Sequence, residues 1–182
     1  MWNVLLALLR QQVRAKAGRP AGQAQRSHHR LPIGQDRLKR GQRGYDAGKR
    51  VKGRKRHIAS DTMGLLLTVV VHSAGIQDRA GAKALLIRLF LHFEGLKTIF
   101  ADGSYSGSLI NWALSMFGWN MQVIKRCQQR VFKVLPKRWV VQRTFVWLSQ
   151  SRRLSKDYEV SVASAEAFIK IACIRRMVRL LG

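Results

Sequence analysis

Asp102 is the carboxylate of this sequence best placed to do chemistry. It ends an apolar run, LKTIFAD (96–102), that reads as a central β-strand, and a flexible GSYSG follows it. In α/β sheets, ligands bind beyond the carboxyl ends of the strands. A hard carboxylate oxygen there suits Mg²⁺, which takes one or two carboxylates together with waters and substrate phosphates. The position equally suits an Asp that caps the following loop. The rest of the nine acidic residues have plainer readings. Asp46, Asp61 and Asp78 fall in turns or caps, and Glu94 ends a helix. Asp157, Glu159 and Glu166 belong to the C-terminal helical region, while Asp36 stands in an irregular basic tract. There is no Ser-His-Asp order, no CxxC pair and no phosphate-binding glycine loop with its lysine. The adjacent His28 and His29 have no Cys or carboxylate at ligand spacing and read as a solvated pair.

Against those nine acids stand 34 Lys and Arg, a net charge of +25 and a pI near 11.7. Such charge predicts attraction to nucleic acid or an anionic surface and says nothing about fold. Residues 1–60 carry 16 basic and 2 acidic side chains, and residues 61–121 carry 4 of each. Residues 122–156 carry 10 basic residues and no acid. A neutral, apolar middle is thus flanked by two basic arms, as expected of a core with nucleic-acid-facing edges. A ribosomal protein or a basic membrane-surface protein would share that profile.

At 182 residues and 47% hydrophobic content, the chain can bury one ordinary core and is not wholly disordered. Cys127 and Cys173 make no metal or disulfide pattern, which favours a reducing, cytoplasmic setting. WNVLLALL (2–9) resembles the apolar part of a signal peptide, but no positive charge precedes it and Arg10 and Arg14 follow. No apolar run is long enough to span a bilayer, so no membrane partner is expected.

The elements that must position Asp102 follow from pattern. Residues 10–43 have few large apolar side chains and no usable period, so that segment taken alone is disordered. Arg56–Ser60 and LLLTVVVH (65–72), joined by Asp61-Thr62-Met63-Gly64, form a hairpin. The GRKR cluster (53–56) sits at its base, where it either touches phosphates or blocks edge pairing. Asp78 caps a helix through about Phe93, and Ser108 caps another that Gly118 breaks. WNMQVIK (119–125) is a further strand. VLPKRWVVQRTFVWLSQSRRLSKDYE (134–159) reads as one long amphipathic helix, and a last helix begins at Ser164. Strands alternating with helices after a hairpin indicate an α/β fold, a mixed sheet covered on both faces.

Three blocks of the chain, GYDAGKRVKGRKRHIASDTMGLLLTVVVHSAGIQDRAGA, IFADGSYSG and VLPKRWVVQRTFVWLSQSRRLSKDYE, are similar to the catalytic part of bacterial insertion-sequence transposases of the DDE type. More narrowly, they resemble the insertion sequence five group. The resemblance runs in order from about Gly44 to the end. It implies an RNase H-like domain over 44–182, preceded by an irregular basic segment, 1–43, of the kind read from a shifted frame or a truncated gene. It also implies DNA as partner, at element ends and target, with a second copy or an intact transposase as a possible companion. The implied cofactor is Mg²⁺: two Asp and one Glu hold two ions that stabilise the attacking and leaving oxygens of phosphoryl transfer.

Residue by residue, the second family Asp falls on Asp102, the expected metal ligand. The Glu belongs to a block reading R-W-V-V-E-R-T-F, so its position here is Gln142, and Arg138 matches the arginine that accompanies it. The first Asp belongs to a strand reading roughly I-D-S-Q-x-V-K before the GYD block. Here that region reads RLPIGQDRLKR, with Asp36 the only nearby carboxylate, so the sheet is expected to be incomplete at its first strand. DNA contacts are expected from Lys52, Arg54, Lys55 and Arg56, from Lys125 and Arg126, and from Arg138, Arg143, Arg152 and Arg153. The sequence therefore describes a transposase by descent whose catalysis is impaired, with a non-catalytic DNA-binding regulator as the alternative.

Overall fold

The computed structural model describes residues 1–18, 26–31, 41–48, 50–124 and 138–182, with the backbone alone for 26–31, 138, 139, 141 and 142. Helix α1 (Trp2–Lys16) is followed by strands β1 (Arg26–Leu31), β2 (Gly44–Asp46), β3 (Val51–Ser60) and β4 (Leu66–Ser73). Then come α2 (Asp78–His92), β5 (Thr98–Asp102), α3 (Ser108–Phe117), β6 (Asn120–Ile124), α4 (Arg138–Ser149) and α5 (Val162–Leu181).

The strands form one mixed sheet. β3 is antiparallel to β4 on one side and to β1 on the other, while β2 pairs with its first residues. β1 is parallel to β5, and β5 is parallel to β6. The order across the sheet is therefore β4–β3–β1–β5–β6, with β3 running against its neighbours. This is the expected RNase H-like arrangement. The first strand is present, contrary to expectation: RSHHRL (26–31) lies between β3 and β5 at the centre of the sheet. The physical reason is that a central strand is recruited through backbone hydrogen bonds to two neighbours, which outweigh the weak strand propensity of its side chains.

Alternation in the strands splits the core in two. Ile58, Leu66, Val69 and Val71 pack under α1, α4 and α5, with Leu6, Leu9, Leu148, Ile169 and Met177. Ala59, Leu67, Val70, Ile99 and Ala101 pack under α2 and α3, with Leu85, Leu86, Leu89 and Leu109. Leu6, Leu9 and Val13 of α1 belong to the first cluster, so the segment read as irregular supplies both a central strand and a core helix.

Local chemistry explains most element ends. Gly118 closes α3 in the left-handed conformation (φ 65°) that its lack of a Cβ makes inexpensive. The β3–β4 turn is built on Asp61, whose Oδ1 accepts from the backbone N–H of Met63 and Leu65 while Oδ2 pairs with Arg14 at 2.8 Å. Gly64 is required there: its φ is 80°, and a Cβ would lie 2.8 Å from Thr144 Oγ1. Two caps shift by one residue. Gln77 and Gly107 precede α2 and α3, so Asp78 and Ser108 are first helical residues. The long basic helix also breaks. α4 ends at Ser149, and a 3-10 turn over Arg152–Leu154 leads to Ser161, whose Oγ caps α5 by accepting from Ser164 N–H.

Candidate functional site

Asp102 ends β5 as expected, and β5 is an interior strand of the sheet. Ile99 and Ala101 point into the α2/α3 cluster, so strand alternation directs Phe100 and Asp102 to the other face, the one α4 covers. The half-buried Asp102 Oδ1 accepts from Gly103 N–H at 2.7 Å, turning the chain into a 3-10 turn over Gly103–Tyr105. Both sequence readings thus meet in one residue. It caps its loop through one oxygen and stands at a strand end where ligands bind.

The neighbouring strand carries no partner carboxylate. Pairing runs Arg26 with Ile99, Ser27 with Phe100 and His28 with Ala101, so His29 is next in register where Asp102 is next in β5. No residue of RSHHRL is acidic. Gln142 lies on α4, which packs on β1, and its side chain is outside the described residues, as is Asp36. Among the described residues, no three His, Cys, Asp or Glu side chains come together to hold a metal ion.

The basic residues divide sharply. Lys52 is exposed at the start of β3. Arg54, Lys55 and Arg56, expected to meet phosphate, are instead buried at 2%, 5% and 5% exposure, and that expectation is corrected. Their strand is interior, flanked by β4 and β1, so its side chains enter the protein rather than solvent. Arg54 Nε pairs with Asp157 at 2.9 Å, and its Nη2 donates to the Glu159 carbonyl. Arg56 donates to the carbonyls of Leu154 (2.8 Å) and Lys156 (3.2 Å). Lys55 reaches Asp78 at 3.0 Å and Asp46 at 3.4 Å and donates to the Ile76 carbonyl. These charges strap the segment 154–160 and the start of α2 onto β3. Burial pulls the Arg56 pKa down, with Asp157 opposing and Arg54 adding to the shift.

Farther along, Arg143 donates to the Met63 carbonyl at 2.8 Å and stacks on Trp147. Arg152 and Arg153 are exposed, the latter paired with Glu159 at 2.7 Å. Lys125 and Arg126 lie outside the described residues, and Arg138 is described only in its backbone.

One buried cluster escaped the sequence reading. His57 Nδ1 and the Tyr105 hydroxyl are hydrogen-bonded at 2.8 Å, and the His57 and His72 rings stack with centroids 4.7 Å apart. A Cβ at Gly81 would collide with Nε2 of both rings, which explains a glycine inside α2. No spacing in the sequence links residues 57, 72 and 105, so no sequence signal could have found the cluster.

The model of the transposase DDE domain family matches residues 19–177, most of the chain. The chain belongs to the DDE transposases. A Burkholderia cepacia protein, described as the candidate transposase of insertion sequence element IS402, is 29% identical over 129 residues, 66% of this chain. The match covers 61% of that relative, so the chain spans less than two thirds of its length. Among solved structures, the catalytic domain of Mos1 mariner transposase aligns with 99% of this chain and 87% of its own, at 10% identity and a TM-score of 0.48. The Mos1 mariner paired end complex with Mn aligns at 10% identity and a TM-score of 0.38, covering 99% of this chain and 61% of that one. At those scores neither likeness bears on the chemistry of this DDE transposase.

Proposed function

We propose that this chain is an insertion-sequence transposase by descent that binds DNA and does not cut it. One observation carries the reading: the strand in register beside Asp102, Arg26–Leu31, contains no carboxylate. Gln142 at the family's Glu position supports it. A glutamine offers a metal only a carbonyl oxygen and cannot neutralise two divalent ions held close together. The family's divalent metal, Mg²⁺ or Mn²⁺, therefore does not fit the described residues. Asp102 Oδ1 is already engaged by the Gly103 N–H, and no group of three His, Cys, Asp or Glu side chains forms among them.

DNA remains the partner best matched to the surface. The net charge of +25, with Lys52, Arg152 and Arg153 outward, favours a polyanion. In this reading the protein works in the cytoplasm on element ends, alone, as a homo-oligomer, or beside an intact transposase that it blocks. The irregular composition of 1–43 fits a damaged or frameshifted gene, and an I-D-S-Q-like strand in another upstream frame would support that origin.

The test is a nicking assay on end-bearing duplex DNA with Mg²⁺ or Mn²⁺. We expect the chain to bind DNA, weakening steeply with salt, and to leave it intact. Gln142→Glu should also fail to cut, because β1 still lacks its Asp. Metal-dependent nicking by the unaltered chain would sink the proposal.

A further inference from the structure

Behind the sheet face covered by α4 and α5 lies a half-open cavity of about 130 Å³ between the C-terminal halves of those helices and the β3–β4 turn. Its floor is apolar, with Leu65, Leu66, Leu148, Cys173 and Met177. Three arginines of α5, Arg175, Arg176 and Arg179, line its mouth, and among the described residues no Asp or Glu does. Positions 172, 175, 176 and 179 share one helix face, so the arginines follow directly from α-helical spacing.

Ordinary helix chemistry does not absorb these charges. None of the three donates to the two terminal α5 carbonyls whose partners are seen: Leu181 accepts from Lys16 Nζ at 2.7 Å, and Val178 accepts from the Gly182 N–H. The acid of α5, Glu166, is held elsewhere by Arg88 and by the Val71 N–H. Arg176 lies over the Trp147 ring at 4.2 Å, while Arg143 stands 4.8 Å from the same centroid. Arg176 Nε is buried with no hydrogen-bond partner among the described residues, a donor without an acceptor beside an uncompensated positive cavity. The Cys173 thiol is pushed up to about 12 by burial, so at neutral pH it is part of the apolar floor and not an anion.

We propose that this cavity binds a small aryl anion, a phosphate or carboxylate carried on one flat ring. The ring lies on the apolar floor, and the anion meets Arg175, Arg176 and Arg179. Size sets the class: an apolar cavity of about 150 Å³ is known to accept benzene, so this one takes a single ring and not a fused pair. Charge sets the rest, because a neutral ring would leave the buried Arg176 Nε without an acceptor and a bare anion would leave the floor wet. Asp102 does not line this cavity.

Calorimetric titration of the full chain with phenyl phosphate, benzoate, inorganic phosphate and benzyl alcohol tests this. Phenyl phosphate and benzoate should compete for one site. Phenyl phosphate should bind at least about tenfold tighter than inorganic phosphate or benzyl alcohol, a gap that corresponds to about 1.4 kcal/mol. The exposed pair Arg175→Gln and Arg179→Gln should weaken both anions at least about tenfold without unfolding the chain. Ala172→Phe, which places a ring in the cavity, should abolish binding. Equal affinity for inorganic and phenyl phosphate, or no loss in the double arginine variant, overturns the site. Duplex DNA affinity measured on the same variants separates this outcome from failure of the DNA-binding reading.

Discussion

Arg54, Lys55 and Arg56 lie 2%, 5% and 5% exposed in β3, whereas Arg152 and Arg153 stand at the surface beyond α4. In composition the two clusters are alike. In the first, two of the charges are paired with internal carboxylates, Asp157 for Arg54 and Asp46 with Asp78 for Lys55. The hydrogen bonds of Arg56 go to backbone carbonyls, those of Leu154 and Lys156. In the second, the exposed Arg153 pairs with Glu159, whose side chain is 12% exposed. A run of basic residues in this chain therefore has two physical uses. One ties segments distant in sequence onto the sheet, and the other leaves charge at the surface.

Substitutions should separate these uses. The largest effect is expected from Asp157→Ala, which leaves Arg54 and its neighbour Arg43 buried without their carboxylate. Breaking a buried pair by removing one partner costs about 3–5 kcal/mol, a large share of a domain's stability. A shift in the urea midpoint corresponding to less than about 1 kcal/mol would mean that Arg54 is solvated after all, and the contrast would collapse. Arg153→Gln should cost about 1 kcal/mol or less, because the Arg153 end of the pair is exposed and screened. A cost like that of Asp157→Ala would show the second cluster to be structural too. Smallest in stability is the pair Lys52→Gln and Arg152→Gln, for which no measurable change in the melting curve is expected. Its signature lies in DNA binding, where the slope of log affinity against log salt should become shallower by about 0.9 for each lost phosphate contact. An unchanged slope would move the DNA-facing surface elsewhere.

The place of Asp102 at a strand end was legible in the sequence. Asp102 stood out because an apolar run ending in Asp and followed by Gly and Ser announces a strand end and a loop. Gly118 and the Asp61 turn were legible for the same reason, their conformations being set by the residues themselves. The length of α4 was not. VLPKRWVVQRTFVWLSQSRRLSKDYE has helical periodicity past Ser149, but Asp157 and the carbonyls of Leu154, Lys156 and Glu159 find partners in β3 only if the helix stops. Nor was β1 legible, since RSHHRL has neither the branched residues nor the alternation of a buried strand.

The amino-acid sequence by itself determined the chain's net charge of +25, its family and the glutamine at position 142. Charge, motif order and residue identity do not depend on how the chain packs. The tertiary structure alone decided that Arg26–Leu31 is the strand beside Asp102 and that it brings no carboxylate there. It also decided that three basic residues of β3 turn inward. Both follow from the position of a strand within the sheet, which is settled by backbone pairing with segments far away in sequence and overrides what each side chain would do alone.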